Sequence, residues 1–392
     1  MTQEEKILLT LLKDSLHDTN TAISLTKEQI GGLYALASRH HLTHLAGEQL
    51  YRRGYLANEA EWQQKFELAQ QIALMQDIRM SGDAEQIFAF CEAEKIDYMP
   101  LKGTVVKSLY PREHMRTSSD VDFLVRREDI PRLRERVTAA GYTVKAESSD
   151  GEAASHDIEI FSPSGLILEA HFCLFEYDEK ISSFLENVWE TAVLKEGTAH
   201  HYLMSPELFY FYHIAHLLKH FMRGGCGIRG FMDLYLMDRK MPVDEGQLDR
   251  LLSESGIKTF YDTCLKLSKV WFGDEPHDDV SRSMEDYILS SGVFGRKEHY
   301  IAITQSQSSG QVSATMSRLF LKKEILKNQY PVLQKHPWLS PFYQIKRWFD
   351  VGLSSGIKRY RNWQKANAKT ERETVDATRE MLKKLDLLDK KL

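Results

Sequence analysis

The sequence predicts an α+β fold, with a small mixed β-sheet core flanked by an N-terminal and a larger C-terminal helical region. Helical periodicity dominates to about residue 95 and returns from Ser205. Between them lie short runs rich in β-formers, such as Val121-Asp-Phe-Leu-Val125, separated by turn residues. At 392 residues, 42 % of them apolar, the chain is too long for one small core, so two or three packed units are expected. The division that follows is a helical region over 1–95, the mixed core over 96–203, a helical unit closing a cleft over 204–305, and a basic, aromatic-rich helical tail over 306–392.

In chain order, Leu8, Leu9, Leu11 and Leu12 form an apolar stripe. Thr26-Lys-Glu-Gln29 has the pattern of a capping box before Ile30, Leu33 and Leu36. A long helix is expected over 59–94, where Phe66, Ala69, Ile72, Ala73, Met80, Ile87 and Phe90 recur at spacings of three, four and seven. Residues 96–101 then read as a strand entering the Lys102-Gly103 turn, and 104–109 as a helix stopped by Pro111. Residues 121–125 alternate as a strand. Residues 128–139 read as a helix closed by Gly141, and 142–144 begin another strand. Residues 158–161, a Ser-Pro-Ser-Gly turn and 166–172 make a hairpin. Ser205-Pro-Glu207 is good chemistry for a helix start, since proline suits the first turn and a carboxylate the dipole. Helices are expected over 208–221, 228–238, 244–255 and 257–272. A linker is expected over 306–310, helical segments at 317–330 and 336–349, and a terminal helix from about Thr370. No internal repeat is visible.

Composition excludes wholesale disorder and collagen-like or mucin-like repeats. No apolar run approaches the roughly 20 residues needed to span a bilayer. The N-terminus lacks the basic start and apolar stretch of a signal peptide. Four widely separated cysteines (Cys91, Cys173, Cys226, Cys264) suggest neither a disulfide framework nor a thiolate zinc site. A cytoplasmic protein with reduced thiols is the simplest expectation. The formal net charge is −5, but residues 321–392 carry 17 Lys and Arg against 8 Asp and Glu. That tail reads either as a solvated helical face balancing an acidic body or as a contact for a nucleic acid or other anionic surface; the first is favoured.

The sharpest chemical feature is Asp120-Val121-Asp122 at the start of a strand. Strand side chains alternate, so both carboxylates point to one side. Two like charges there repel unless a cation lies between them, and hard divalent ions, above all Mg²⁺, suit such oxygen ligands. Upstream, Lys102-Gly103-Thr104 lies at a strand-to-helix turn, where free backbone N–H groups favour phosphate and Thr104 could add a hydroxyl. Downstream, Glu169 interrupts an otherwise apolar strand. It would be costly to bury unpaired and makes sense as a third ligand or a base.

Glycine turn, D-x-D strand and third acid together resemble the DNA polymerase β-like nucleotidyltransferase superfamily. The closer resemblance is to its uncharacterised bacterial nucleotidyltransferase family. The residues that carry it are Leu101-Lys102-Gly103, Tyr110-Pro111, Arg116, Asp120-Val121-Asp122-Phe123-Leu124-Val125, Gly141-Tyr142 and Glu169-Ala170-His171. Further on, His216, Lys219-His220, Arg229, Asp233 and the tail phrase Tyr330-Pro331…His336-Pro337-Trp338…Pro341 are also similar. Two departures stand out: Glu169 where the family would have Asp, and Gly103-Thr104 with a long gap to Asp120 where compact members have Gly-Ser. The resemblance implies a nucleotidyltransferase core that moves an NMP from an NTP to a hydroxyl acceptor, with two Mg²⁺ (or Mn²⁺) ions. Asp120, Asp122 and Glu169 would be the catalytic metal ligands: Asp120 and Asp122 for the ion on the donor phosphates, all three for the ion that activates the acceptor. Lys102 or Arg116 would offset charge on the leaving pyrophosphate. The acceptor stays open between a small molecule, a peptide or protein, and an RNA. The alternatives are a non-catalytic nucleotide- or protein-binding module on the same fold, and a toxin-like nucleotidyltransferase.

His213, His216 and His220 share one helix face. Zinc could suit them, but the reading preferred is that His216 and Lys219 face the nucleotide cleft, with core or interface histidines as the plain alternative. Arg229 and Asp233 are spaced for an intrahelical pair, and Phe209, Tyr210 and Tyr212 for a core. From Trp338 to Trp363, Trp338, Phe342, Tyr343, Trp348, Phe349, Tyr360 and Trp363 interleave with Lys346, Arg347, Lys358, Arg359 and Arg361. Packing of the aromatic face on the body is the favoured reading over a grip on single-stranded nucleic acid or a membrane.

Overall fold

The computed structural model describes residues 1–145, 156–293, 295–307, 326, 330, 332–353 and 372–390. Four helices open the chain: α1 (Gln3–His17), α2 (Lys27–Arg39), α3 (Thr43–Arg52) and the long α4 (Ala60–Ala93). The capping box at Thr26 forms as the sequence predicts, with Gln29 returning a bond to the Thr26 N–H. A second one caps α1, between Thr2 and Glu5.

The core is a five-stranded mixed sheet in the order β1-β2-β5-β4-β3. Its strands are β1 (Tyr98–Pro100), β2 (Asp120–Val125), β3 (Thr143–Val144), β4 (Asp157–Phe161) and β5 (Ile167–His171). Only the β2–β5 pair is parallel; β1–β2, β5–β4 and β4–β3 are antiparallel. An α+β fold with a small mixed sheet is therefore the architecture.

The pleat sorts the sheet chemically. Val121, Phe123 and Val125 of β2, with Leu168, Ala170, Ile158 and Ile160 of its neighbours, are buried on one face. They pack under Ala84, Ile87 and Phe90 of α4 and Leu133 and Val137 of α6 (Ile130–Ala139). The opposite face carries Asp120, Asp122, Glu169 and His171, and only its β1 side, through Met99, Leu101 and Leu124, joins the main helical core. The helix read over 104–109 is a four-residue α5 (Gly103–Val106) running into a 3-10 turn (Lys107–Leu109).

After the sheet come α7 (Glu179–Leu185) and a two-stranded ribbon of β6 (Val193–Leu194) and β7 (Tyr202–Leu203), none of which the sequence pattern signals. The helical unit follows as α8 (Pro206–Met222), α9 (Arg229–Lys240), α10 (Glu245–Glu254) and α11 (Lys258–Phe272). Two more, α12 (Asp279–Ser291) and α13 (Lys297–Ser306), occupy a stretch whose polar character hides its helical period. Their buried Met284, Ile288, Ile301 and Ala302 supply the apolar face. Apolar residues of α1–α3 and of α8–α12 form one continuous buried cluster, so the two ends of the helical layer share a core.

Two expectations are corrected. Ser306 is no linker residue but the buried end of α13; its hydroxyl donates to Ala302 O, and its carbonyl accepts from Arg379 Nε of the terminal helix (Arg372–Lys384). Trp338 and Phe342 are 70 % and 65 % exposed, so this part of the aromatic face does not pack on the body. Residues 308–310 of the expected linker, the segment at 317–330 apart from Leu326 and Tyr330, and the basic aromatic run at 358–363 lie outside the described residues. Among the described residues no helix is long and apolar enough to cross a membrane.

Candidate functional site

The parallel pairing of β2 with β5 sets Asp122 directly opposite Glu169, with Asp120 two residues earlier on the same face. Asp122 is buried, and its Oδ1 receives two donors: Lys102 Nζ at 2.6 Å and His171 Nε2 at 2.8 Å. His171 Nε2 also lies 3.5 Å from Glu169 Oε2, so the histidine bridges the two acids. Ligand atoms of Asp122, Glu169 and His171 all fall within 4.8 Å of one another, a spacing that can hold a metal ion.

Burial alone would raise the Asp122 pKa, but Lys102 and His171 hold the carboxyl well below its usual range. Asp120 goes the other way. Burial first, then the charges of Asp122 and Glu169, push its pKa up to about 6, against the pull of Lys102 and Arg229. Two carboxylates on one strand face thus have opposed proton affinities, because Asp122 takes the Lys102 and His171 donors while Asp120 meets the charges of its neighbouring acids. The donor set is oxygen-rich and matches a hard divalent ion; Oδ1 of Asp122 is committed to protein donors, which leaves Oδ2, Asp120 and Glu169.

Lys102 reaches Asp122 from an unusual backbone position, φ 45° and ψ −119°, which L-residues rarely adopt. Leu101 N donates to Asp122 O at 3.0 Å, tying the turn to β2. Gly103 is required for space: a Cβ would collide with the Arg116 guanidinium and the Ser118 hydroxyl. The group that approaches this glycine is therefore the chain's own Arg116. Thr104 lines a cavity of about 30 Å³ with Ser81, Gly103, Lys107, Arg116 and Ser118, on the α4 side of the turn.

Arg116 is not a loose surface residue and not a free phosphate arm. It is buried, with Nε 3.2 Å from Asp233 Oδ1, Nη2 2.8 Å from Asp233 Oδ2 and Nη1 2.8 Å from Ser118 Oγ. Tyr110 also donates to Asp233 Oδ1, at 2.7 Å. The intrahelical Arg229–Asp233 pair gives way to this arrangement, because Asp233 faces Arg116 while Arg229 donates to Thr117 O. Both helix residues thus hold the loop that leads into β2.

Tyr212, His216 and Lys219 lie on one side of α8. Tyr212 is buried within electrostatic reach of Lys102, Asp122, Glu169 and Asp120, and its pKa rises through burial and those acids. Burial, then Lys102 and the neighbouring His220 and Lys219, keeps His216 neutral. His216 Nε2 and His220 Nε2 are 2.9 Å apart, and no metal-competent trio among the described residues includes them. Lys219 lies over the Tyr177 ring at 4.7 Å; burial, then Arg223 and Lys102, draws its pKa down to about 8.

His171 and Tyr212 are the site residues that sequence reasoning left without a role. The signals that would find them are the period-two rule, which sets His171 on the Glu169 face, and the helical period, which sets Tyr212 one turn before His216.

The site thus gathers three acids and a histidine on one sheet face, with Tyr212 of α8 within electrostatic reach of the acids. Residues 26–273 match the family described as an uncharacterised nucleotidyltransferase, and the chain belongs to that family. The match begins within the N-terminal helices and ends at Gly273, so the similar tail phrase around His336-Pro337 lies beyond it. No curated protein and no solved structure matches the chain. The protein is a transferase of phosphorus-containing groups, of the nucleotidyl-transfer class.

Proposed function

We propose that this protein transfers an NMP from an NTP to a hydroxyl acceptor, using Mg²⁺ or Mn²⁺ held by Asp120, Asp122 and Glu169. One observation carries the reading: Asp122 stands opposite Glu169 on adjacent parallel strands, with Asp120 on the same face. Ions bound there would polarise the α-phosphate and lower the pKa of the acceptor hydroxyl. The chain's own groups set up that chemistry. Lys102 and His171 keep Asp122 ionised and fix its orientation. Lys219, within electrostatic reach of Glu169, and His216, within reach of Lys102, would supply donors for the triphosphate from α8. Arg116 acts as a positioning residue, since its paired guanidinium anchors the loop before Asp120.

Calorimetric titration of ATP, GTP, CTP and UTP, with Mg²⁺ or Mn²⁺, tests this without knowledge of the acceptor. Metal-dependent binding of at least one NTP is expected, and its loss in the Asp120→Asn/Asp122→Asn double variant. A well-folded wild type that binds none of them would overturn the donor assignment. The Lys102–Asp122 pair favours one second reading, a nucleotide-binding module in which the ammonium stands in for a metal. Equal NTP binding in chelator and in Mg²⁺ would select it.

A further inference from the structure

A second trio of ligating atoms lies beside the acid cluster; it shares His171 with that cluster, through the ring nitrogen that does not meet Asp122. Asp157 opens β4 directly opposite His171 of β5, and His156 precedes it. His156 O accepts from the N–H groups of Phe172 and Cys173, at 3.0 and 3.2 Å, so the backbone fixes this corner of the sheet. His156 Nε2 lies 3.4 Å from Asp157 Oδ2, and His171 Nδ1 lies 3.8 Å from the same oxygen. The three ligand atoms fall within 4.8 Å of one another.

We propose that His156 Nε2, His171 Nδ1 and Asp157 Oδ2 form a site for a divalent transition-metal ion, Zn²⁺ in class, next to the carboxylate cluster. The tautomers agree with this. His171 directs Nε2 at Asp122 Oδ1, 2.8 Å away, which puts the proton on Nε2 and leaves the Nδ1 lone pair for a metal. His156 directs Nδ1 at Glu176 Oε1, 3.2 Å away, which leaves the Nε2 lone pair on the Asp157 side. Each imidazole thus has its far nitrogen held by a carboxylate, the outer-shell arrangement that orients metal-bound histidines.

Ligands at roughly 2.0–2.1 Å from a tetrahedral ion stand about 3.3 Å apart, so the 3.4 and 3.8 Å edges to Asp157 need a contraction of a few tenths of an ångström, and the two imidazoles, within 4.8 Å of each other, close by rotation of their side chains. The rings are already inclined by only 26°, with centroids 5.8 Å apart. Two imidazoles and one carboxylate select a borderline transition ion over Mg²⁺, which prefers all-oxygen ligands. His171 would serve both centres: its Nδ1 binds the ion, and its Nε2–H, polarised by it, steadies Asp122.

The test uses the metal-stripped full-length chain, titrated with Co²⁺ by visible absorption and then with Zn²⁺ in competition. With excess Mg²⁺ present to occupy the acid cluster, the wild type should bind one Co²⁺ per chain with the bands of a low-symmetry N/O site. His156→Ala should weaken binding at least about 100-fold, and Glu176→Gln, which keeps the ligands, about 10-fold. Circular dichroism melts check folding, and if His156→Ala unfolds, Glu176→Gln decides. No saturable Co²⁺ signal, displacement by Mg²⁺, or unchanged affinity in the folded variants would overturn the site.

Discussion

At Lys102 the backbone and the side chain make opposite demands. A φ of 45° with ψ −119° costs a residue with a Cβ on the order of 1–3 kcal/mol, which glycine would avoid. The side chain explains why lysine stands there, since its ammonium is the nearest partner of the buried Asp122 carboxylate, at 2.6 Å. Removing one member of a buried pair strands the other. Lys102→Met should therefore destabilise the fold by about 3 kcal/mol, with His171 still holding Asp122 and limiting the loss. Lys102→Gly, which relaxes the backbone, should lose about 1 kcal/mol less. Urea unfolding of both variants, alone and with Asp122→Asn, measures the two contributions. If the Asp122→Asn background fails to reduce the effect of Lys102→Met, the ion pair is not what the lysine supplies.

Among the elements, α9 and the loop before β2 are joined by charge. Arg116 and Asp233 are both buried, and the pair is bidentate, with Tyr110 completing the carboxylate. Asp233→Ala leaves a guanidinium unpaired in the interior and should cost about 3–5 kcal/mol in urea unfolding. Adding Arg116→Met should recover a large part; a fully additive loss would mean that the two residues do not act as a pair. Local pattern made much of this layer readable. Alternation placed Asp120 and Asp122 on one side of β2, and Glu169 stood out as a charge in an apolar strand. What the sequence could not show is which strands become neighbours. The parallel β2–β5 pairing joins segments separated by a helix and a hairpin, and only that pairing sets Asp122 against Glu169. The same applies to Arg116: an i, i+4 rule joins Arg229 to Asp233, whereas tertiary packing brings a closer guanidinium from a remote loop. Helices α12 and α13 escaped because their apolar positions are spread among polar ones.

Over the whole molecule, the N-terminal helices, the C-terminal helices and the site loop are fastened by two buried histidines. His40 accepts from Ile228 N–H at Nδ1, at 3.4 Å, so its proton lies on Nε2, which donates to Leu289 O at 3.2 Å. His44 Nε2 donates to Met115 O at 3.1 Å, linking α3 to the loop before β2. Both are held neutral by burial, which draws each pKa down to about 4 despite the carbonyl each one meets. Protonating His40 would also set a new N–H against the Ile228 N–H, so geometry and burial act in one direction. The sign of the linkage follows. Below the unfolded value of about 6.5 the unfolded chain takes up protons that the folded chain refuses, until the pH nears 4. Stability should therefore be full above about pH 6.5 and fall towards pH 4, by up to about 1.4 kcal/mol per pH unit for each histidine. His44→Gln keeps an N–H donor for Met115 O and does not titrate, so its stability should decline with one proton's less slope. Urea unfolding at half-unit steps from pH 7.5 to 4.5 compares the two, and parallel curves would show that His44 does not drive the acid loss. The consequence bears on the site as well: His44 holds the loop that carries Met115 and Arg116 into β2, so NTP binding should fall on the acid side through loss of that bond as well as protonation of Asp120, and less steeply in His44→Gln.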